Sequence, residues 1–338
     1  MGSQDRGEAG RANPVLAEVI RSGRTESWHR GSLVVLDADG SVLLSVGVTD
    51  QPMFPRSSNK PMQATAMLGC GLDLSDERLL ALAAASHSGE EFHVTGVREI
   101  LSGAGLAESD LQCPPDLPLD DEAKAELLAA GGKRDRAHMN CSGKHAAMLA
   151  TCVAAGWPTA SYRDPDHPLQ RRIEATIERL AAEPVLAIGV DGCGAPLIAL
   201  SLTGLARAFA AIVRSPVGSA EMRVANAMRG YPAWMSGTRR YEAALMHAVP
   251  GLLMKPGADG VCAFALDDGR AAAVKIDDGA QRAVAPVMAA LLRELVAAGQ
   301  RGTGERVDLG TLGELARGPV LGGGQPVGEI RPILPRLG

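Results

Sequence analysis

The sequence predicts an α+β fold: an antiparallel sheet made from hairpins near the two ends of the chain, packed with helices that fill the middle. Three observations predict it. Two pairs of apolar, partly β-branched runs, each pair joined by an Asp/Gly turn, lie near the start and in the last third. The stretch between them carries helical periodicity with capping residues. Strands and helices do not alternate as βαβα, which argues against a parallel sheet.

Taken in order, residues 1–13 are polar, glycine-rich and charged and are expected to be disordered. Residues 14–338 are expected to form one domain. Residues 32–36 and 42–46 flank the turn Asp37-Ala38-Asp39-Gly40 and read as a hairpin. A helix follows through about Leu68, with Ser57 as its cap, Pro61 in its first turn and Gly69 and Gly71 at its end. Ser75-Asp76-Glu77 opens the next, its acidic residues suiting the positive end of the helix dipole.

Further helices are expected at about 93–103, 121–130, 143–155, 167–182, 204–214, 217–228 and 280–298. Residues 185–190 read as a buried strand that empties into Asp191-Gly192-Cys193-Gly194. Residues 260–266 and 271–276 form the second hairpin, and the Gly/Pro-rich tail has room for a short strand at 326–331.

Composition narrows the function. The 338 residues are 46% hydrophobic and 22% charged, enough for a large core with few aromatics (3%). Net charge is −5 and no basic tract occurs, which excludes nucleic acid as an expected partner. No apolar run reaches the roughly 18 residues of a membrane span. The polar N-terminus lacks the apolar centre of a signal peptide, so the cytoplasm is the expected compartment. Six cysteines are then expected to be thiols, and any special one a nucleophile or metal ligand.

Four polar clusters interrupt apolar elements, each in a turn where sites tend to be built: Ser57/Lys60, Ser86-His87-Ser88, Cys141/Lys144/His145 and Asp191/Cys193. Ser57 and Lys60 stand three apart at a helix entry, so both project from one face. A hydroxyl becomes a nucleophile when a neighbour takes its proton, and a desolvated lysine can do so. The plainer reading is a capping serine and a solvated lysine. Cys141 and Cys193 read equally as small core residues. Joined by a nitrogen from Lys144, His138 or His145, they would make a three-ligand zinc site with an open position.

In this order the clusters resemble the rhizobial-type L-asparaginases, the third asparaginase class. The resemblance rests on Pro55-Arg56-Ser57-Ser58-Asn59-Lys60-Pro61-Met62-Gln63, Ala85-Ser86-His87-Ser88-Gly89-Glu90, Asn140-Cys141-Ser142-Gly143-Lys144-His145 and Asp191-Gly192-Cys193-Gly194-Ala195-Pro196. It continues through Lys255-Pro256-Gly257-Ala258-Asp259-Gly260-Val261 and Lys275-Ile276-Asp277-Asp278-Gly279, spanning about 30–333. It implies a β-lactamase/glutaminase-like fold, a homodimer, and hydrolysis of L-asparagine to L-aspartate and ammonia.

By the same resemblance Ser57, Lys60, Ser86 and Lys255 are catalytic, with Lys275 competing for the place of Lys255 and either serine open as the nucleophile. Cys141, Lys144 and Cys193 match zinc ligands, and Arg56, His87, Asp191 and Lys275 are expected around the substrate. Two departures stand out. The segments 60–86 and 193–255 are shorter than the family's, and Gly322-Gly323-Gly324-Gln325 replaces an aromatic stretch. A glutaminase, a β-lactam hydrolase or a non-enzymatic zinc or thiol protein are the alternatives.

Overall fold

The computed structural model describes residues 12–299 and 307–336. Most of the N-terminal stretch expected to be disordered, residues 1–11, lies outside the described residues. The chain opens with β1 (Val15–Arg21), β2 (Arg24–Leu36), β3 (Val42–Val46) and the two-residue β4 (Pro52–Met53). A 3-10 turn at Arg56–Asn59 leads into α1 (Lys60–Gly69), followed by α2 (Glu77–Ala83), α3 (Glu91–Gly103), α4 (Asp121–Ala129), α5 (Ser142–Ala154) and α6 (Pro168–Ala181). Then come β5 (Ala187–Val190), β6 (Pro196–Ser201), α7 (Leu202–Arg214), α8 (Ala220–Gly230), α9 (Pro232–Met235) and α10 (Tyr241–Ala248). The last third holds β7 (Leu253–Pro256), β8 (Val261–Ala265), β9 (Ala271–Ile276), α11 (Val284–Gly299), α12 (Leu309–Leu315), β10 (Gly318–Gly322) and β11 (Gln325–Pro332).

The main sheet runs β10-β11-β1-β2-β9-β8-β7, with β3 on the far half of β2. Its pairings are antiparallel, and both expected hairpins are present: Leu33 faces Val46, and Val261 faces Lys275. The fold is therefore α+β, with an antiparallel sheet packed by helices. β2 is long enough to serve twice. Its first half pairs with β1, and its second half pairs with β3 and β9. That shared strand joins the first and last thirds of the chain.

Every residue of β8 is buried, which requires cover on both faces. α7 and α11 both pack there, α7 through Leu205, Phe209 and Ile212. Each such side chain taken fully out of water contributes about 1.5–3 kcal/mol. The helical layer is centred on α1, which touches α5, α6 and α8 and is buried along nearly its whole length.

Three expectations are corrected. Residues 187–190 are not a buried strand: β5 is an edge of a small sheet ordered β4-β6-β5, and Val190 is 79% exposed. Ser57 does not cap α1, because it lies inside the 3-10 turn that precedes the helix, and the N-cap position of α1 is Asn59. Pro61 does fall in the first turn of α1, where no backbone hydrogen bond is lost. The strand expected at 326–331 is present as β11, but the tail holds two strands rather than one, β10 being joined to it through Gly323 and Gly324 at positive φ. No helix among the described residues is long and apolar enough to cross a membrane.

Candidate active site

The site begins at the turn before α1. Arg56 has φ of 52°, in the left-handed region that a bulky side chain rarely occupies. The end of β7 seats against this turn. The Ser58 hydroxyl donates to the Lys255 carbonyl at 3.0 Å. Gly257 permits the close approach, since a Cβ there would lie 2.4 Å from the Pro55 carbonyl oxygen.

Lys60, 1% exposed, opens α1 and points inward. Its ammonium donates to Ser86 Oγ (2.9 Å), to Cys141 Sγ (3.1 Å) and to the Ala85 carbonyl. Ser86 follows α2 in an extended segment fixed by its neighbours: its N–H donates to Met235 O, that of His87 to Asn140 O, and that of Ser88 to Ser236 O. On the opposite side Lys255 of β7, fully buried, donates to Ser86 Oγ at 3.1 Å and to Pro256 O at 3.2 Å. One hydroxyl thus sits between two buried amines. Burial first, then the charge of Lys60, lower Lys255 to about 7. A neutral Lys255 can take the Ser86 proton while Lys60 donates to the same oxygen, so a proton can pass from one lysine to the other through Ser86.

The expected Ser57–Lys60 hydrogen bond is absent, and the reason is countable. An ammonium has three donors, and those of Lys60 already serve Ala85, Ser86 and Cys141. Ser57 is half-buried and makes no side-chain hydrogen bond among the described residues. It lies three residues before Lys60 in a 3-10 turn, where such positions eclipse.

Two other expectations change. His87 is fully buried: its Nδ1 accepts from the Gly89 N–H, and its Nε2 bonds Ser142 Oγ at 2.8 Å. Burial pushes its pKa well down, and both ring nitrogens are engaged within the protein. Lys275 is not a partner of Ser86. Its ammonium donates to the Asp259 and Ile276 carbonyls at 2.6 and 2.8 Å.

Arg56 and Asp191 do meet. The Arg56 Nε donates to Asp191 Oδ1 at 2.9 Å, and its Nη1 donates to Asp259. Burial works against the guanidinium, but the two carboxylates outweigh it and raise its pKa.

Cys141, Lys144 and Cys193 form a second buried cluster beside Lys60. Cys141 is at the N-cap position of α5, Lys144 in its first turn, and the β5–β6 turn delivers Cys193. Lys144 Nζ lies 3.1 Å from Cys193 Sγ, and Asp191 Oδ2 is 3.7 Å from that sulfur. The Cys141 thiol donates to Asn140 Oδ1 at 3.2 Å. The neighbouring Cys141 sulfur and Lys144 hold Cys193 far below the usual thiol range despite burial. Cys193 and burial raise Cys141. Burial alone would lower Lys144, but Cys193, Cys141 and Asp191 raise it instead.

His138 is engaged by Asp135 at 2.7 Å. His145 instead keeps a buried Nε2 with no partner among the described residues, while its Nδ1 bonds Tyr162 at 2.6 Å. No group of three His, Cys, Asp or Glu side chains arranged for a metal occurs among the described residues. The donor set at the cluster is two sulfurs and an amine, soft and nitrogen ligands of the kind zinc takes, beside an orphaned imidazole nitrogen. The residues fit the metal in kind.

Sequence reasoning missed Asp259 and the Ser58–Lys255 tie, although both lie inside motifs it singled out. Their signal was only adjacency to Arg56 and Lys255, which becomes contact on folding.

A family profile described as L-asparaginase II matches residues 17–332. A comparison with curated proteins found no match. Among solved structures, Mglu is 13% identical, covered over 82% of this chain and 62% of its own, with a TM-score of 0.44. The chain thus spans about three fifths of the length of Mglu. A β-lactamase from Mycobacterium bovis is 14% identical over 79% of this chain and 94% of its own, with a TM-score of 0.42. A putative β-lactamase from Bacteroides dorei is 16% identical over 73% and 84%, with a TM-score of 0.41.

Proposed function

The chain belongs to the L-asparaginase II family, an amidohydrolase family, and from that premise we propose that it hydrolyses L-asparagine to L-aspartate and ammonia. The observation that carries the proposal is the Ser86 hydroxyl held between Lys60 at 2.9 Å and Lys255 at 3.1 Å.

In this reading Ser57, half-buried in the turn before Lys60, acts as the nucleophile. Lys60 passes a proton through Ser86 to neutral Lys255, and so becomes free to take the Ser57 proton. The Ser57 oxygen then bonds to the side-chain amide carbon, and the carbonyl electrons move to oxygen. The Ser58 and Lys60 N–H groups are spent on the Pro55 and Ser57 carbonyls, so in this reading the Ser57 N–H stabilises that oxyanion. The C–N bond breaks as Lys60 returns the proton to the leaving ammonia. Water repeats the cycle on the Ser57 ester and releases the acid. The direct bonds to Ser86 favour a second reading, in which Ser86 itself is acylated by way of Lys255.

Cys141, Lys144 and Cys193 would hold zinc, and bound zinc would supply a Lewis-acid anchor for polar groups of the substrate. The protein's own residues perform every proton transfer above.

The test is ammonia release from L-asparagine by the unaltered protein and by Ser57→Ala and Ser86→Ala. Loss of about 1,000-fold or more is expected for the nucleophile variant. Mass spectrometry of a quenched reaction locates the acyl group on residue 57 or 86. Full activity in both variants would sink the serine mechanism.

A further inference from the structure

Two residues with left-handed backbone face each other at the rim of the site. Arg56 has φ of 52° and Asp259 has φ of 55°. Their side chains form an ion pair. The turn that carries Asp259 is fixed from both sides. Lys275 donates to the Asp259 carbonyl, and Gly257 seats the turn directly on Pro55. Backbone strain of this kind persists only where the surroundings hold it, and it concentrates at ligand clamps.

Each group keeps unused bonding capacity. The guanidinium spends Nε on Asp191 and Nη1 on Asp259, while Nη2 has no partner among the described residues. Gly192 leaves the space beside Nη2 open, since a side chain there would begin 3.7 Å from it. Asp259 uses one oxygen on Arg56 and is 62% exposed, so its other oxygen faces solvent. Asp191 is enclosed between Arg56 and Cys193 and 10% exposed, which leaves Asp259 as the open carboxylate. A cationic donor and an anionic acceptor, fixed side by side next to Ser57, complement a zwitterion.

We infer that Arg56 and Asp259 form an α-amino-acid subsite, with Nη2 of Arg56 taking the α-carboxylate and the free oxygen of Asp259 taking the α-ammonium. The inference deepens the amide-hydrolase reading and rests on it for placing the subsite beside the nucleophile. It assigns Asp259 as the residue that distinguishes α-amino-acid amides from simple acid amides.

The test is calorimetric binding of L-aspartate and succinate, which differ only in the α-ammonium, to the unaltered protein, Asp259→Asn and Asp259→Glu. Asparagine tolerates left-handed backbone, so the first variant preserves the turn. The unaltered protein should bind L-aspartate about 10- to 100-fold more tightly than succinate, the range for a hydrogen bond between charged groups. In Asp259→Asn that gap should close through loss of L-aspartate affinity, with succinate held within about threefold, and Asp259→Glu should restore part of it. Equal weakening of both ligands in Asp259→Asn would assign Asp259 a structural role and overturn the inference. So would absence of any preference in the unaltered protein, a readout independent of how the variants fold. Failure to release ammonia from L-asparagine, with the L-aspartate preference intact, would sink the asparaginase reading and leave the subsite standing.

Discussion

In the proposed mechanism Lys255 is the side chain on which the chemistry turns, because its burial makes it a base near neutral pH. Its pKa is lowered to about 7 in the fold, by burial and by Lys60, from an ordinary value of 10.5. We expect kcat/KM to rise as pH increases through about 7, where Lys255 becomes neutral, and Lys255→Met to lower it by about 10²–10⁴-fold. A pH–rate profile of both proteins checks this. Stability follows with a definite sign. Between about 7 and 10.5 the unfolded lysine is protonated and the folded one is not, so stability rises with pH across that window and is lost as pH falls to 7. Lys255→Met should flatten this slope in urea titrations at several pH values. A hydrophobic isostere should also be more stable at pH 7, by about 1–4 kcal/mol.

The sulfur cluster makes a separate prediction at the same scale. In the proposed mechanism no proton-transfer step uses zinc, so exhaustive chelation should raise KM for asparagine while kcat changes by less than about threefold. Complete loss of turnover with KM unchanged would show that the metal takes part in the chemistry.

Among elements, the contact of β7 with the turn before α1 is the one that aligns the site. Gly257→Ala would put a methyl 2.4 Å from the Pro55 carbonyl, a backbone atom that cannot rotate away. We expect a stability loss of about 1–3 kcal/mol and a fall in kcat as Lys255 and the Ser57 turn separate. Denaturant unfolding and steady-state kinetics measure both.

The elements that were legible in the sequence had strong local signals. Asp37-Ala38-Asp39-Gly40 and Asp267-Asp268-Gly269 announced their hairpins, and the cap at Asp76 sits where α2 begins. β1 and β7 were missed because their own signals are weak: β1 pairs with the polar first half of β2 and, across the whole chain, with β11, and β7 is four residues long. β5 misled because a run of apolar residues looks the same at an exposed edge as in a core. In the site, the serines and lysines were legible by type. Their pairing was not, because two segments far apart in sequence, at Ala85-Ser86 and Cys141, converge on Lys60 and only folding decides which acceptors fill its three donors.

Across the whole molecule, long-range pairing sets the cooperativity. β1 is held between β2 and β11, so the first strand of the sheet depends on one of the last. Removal of residues 318–338 should strip β1 of one partner and uncover its edge. We expect a markedly lower Tm and aggregation on heating, read by circular dichroism and light scattering; an unchanged melt would mean that the β10–β11 ribbon is dispensable. The same adjacency has another use. Ile333 N–H bonds the Leu16 carbonyl at 2.7 Å, so the two ends of the described chain finish side by side. A short linker could fuse them into a ring, reopened at the exposed turn after α4, and the circular permutant should still assemble its lysines around Ser86.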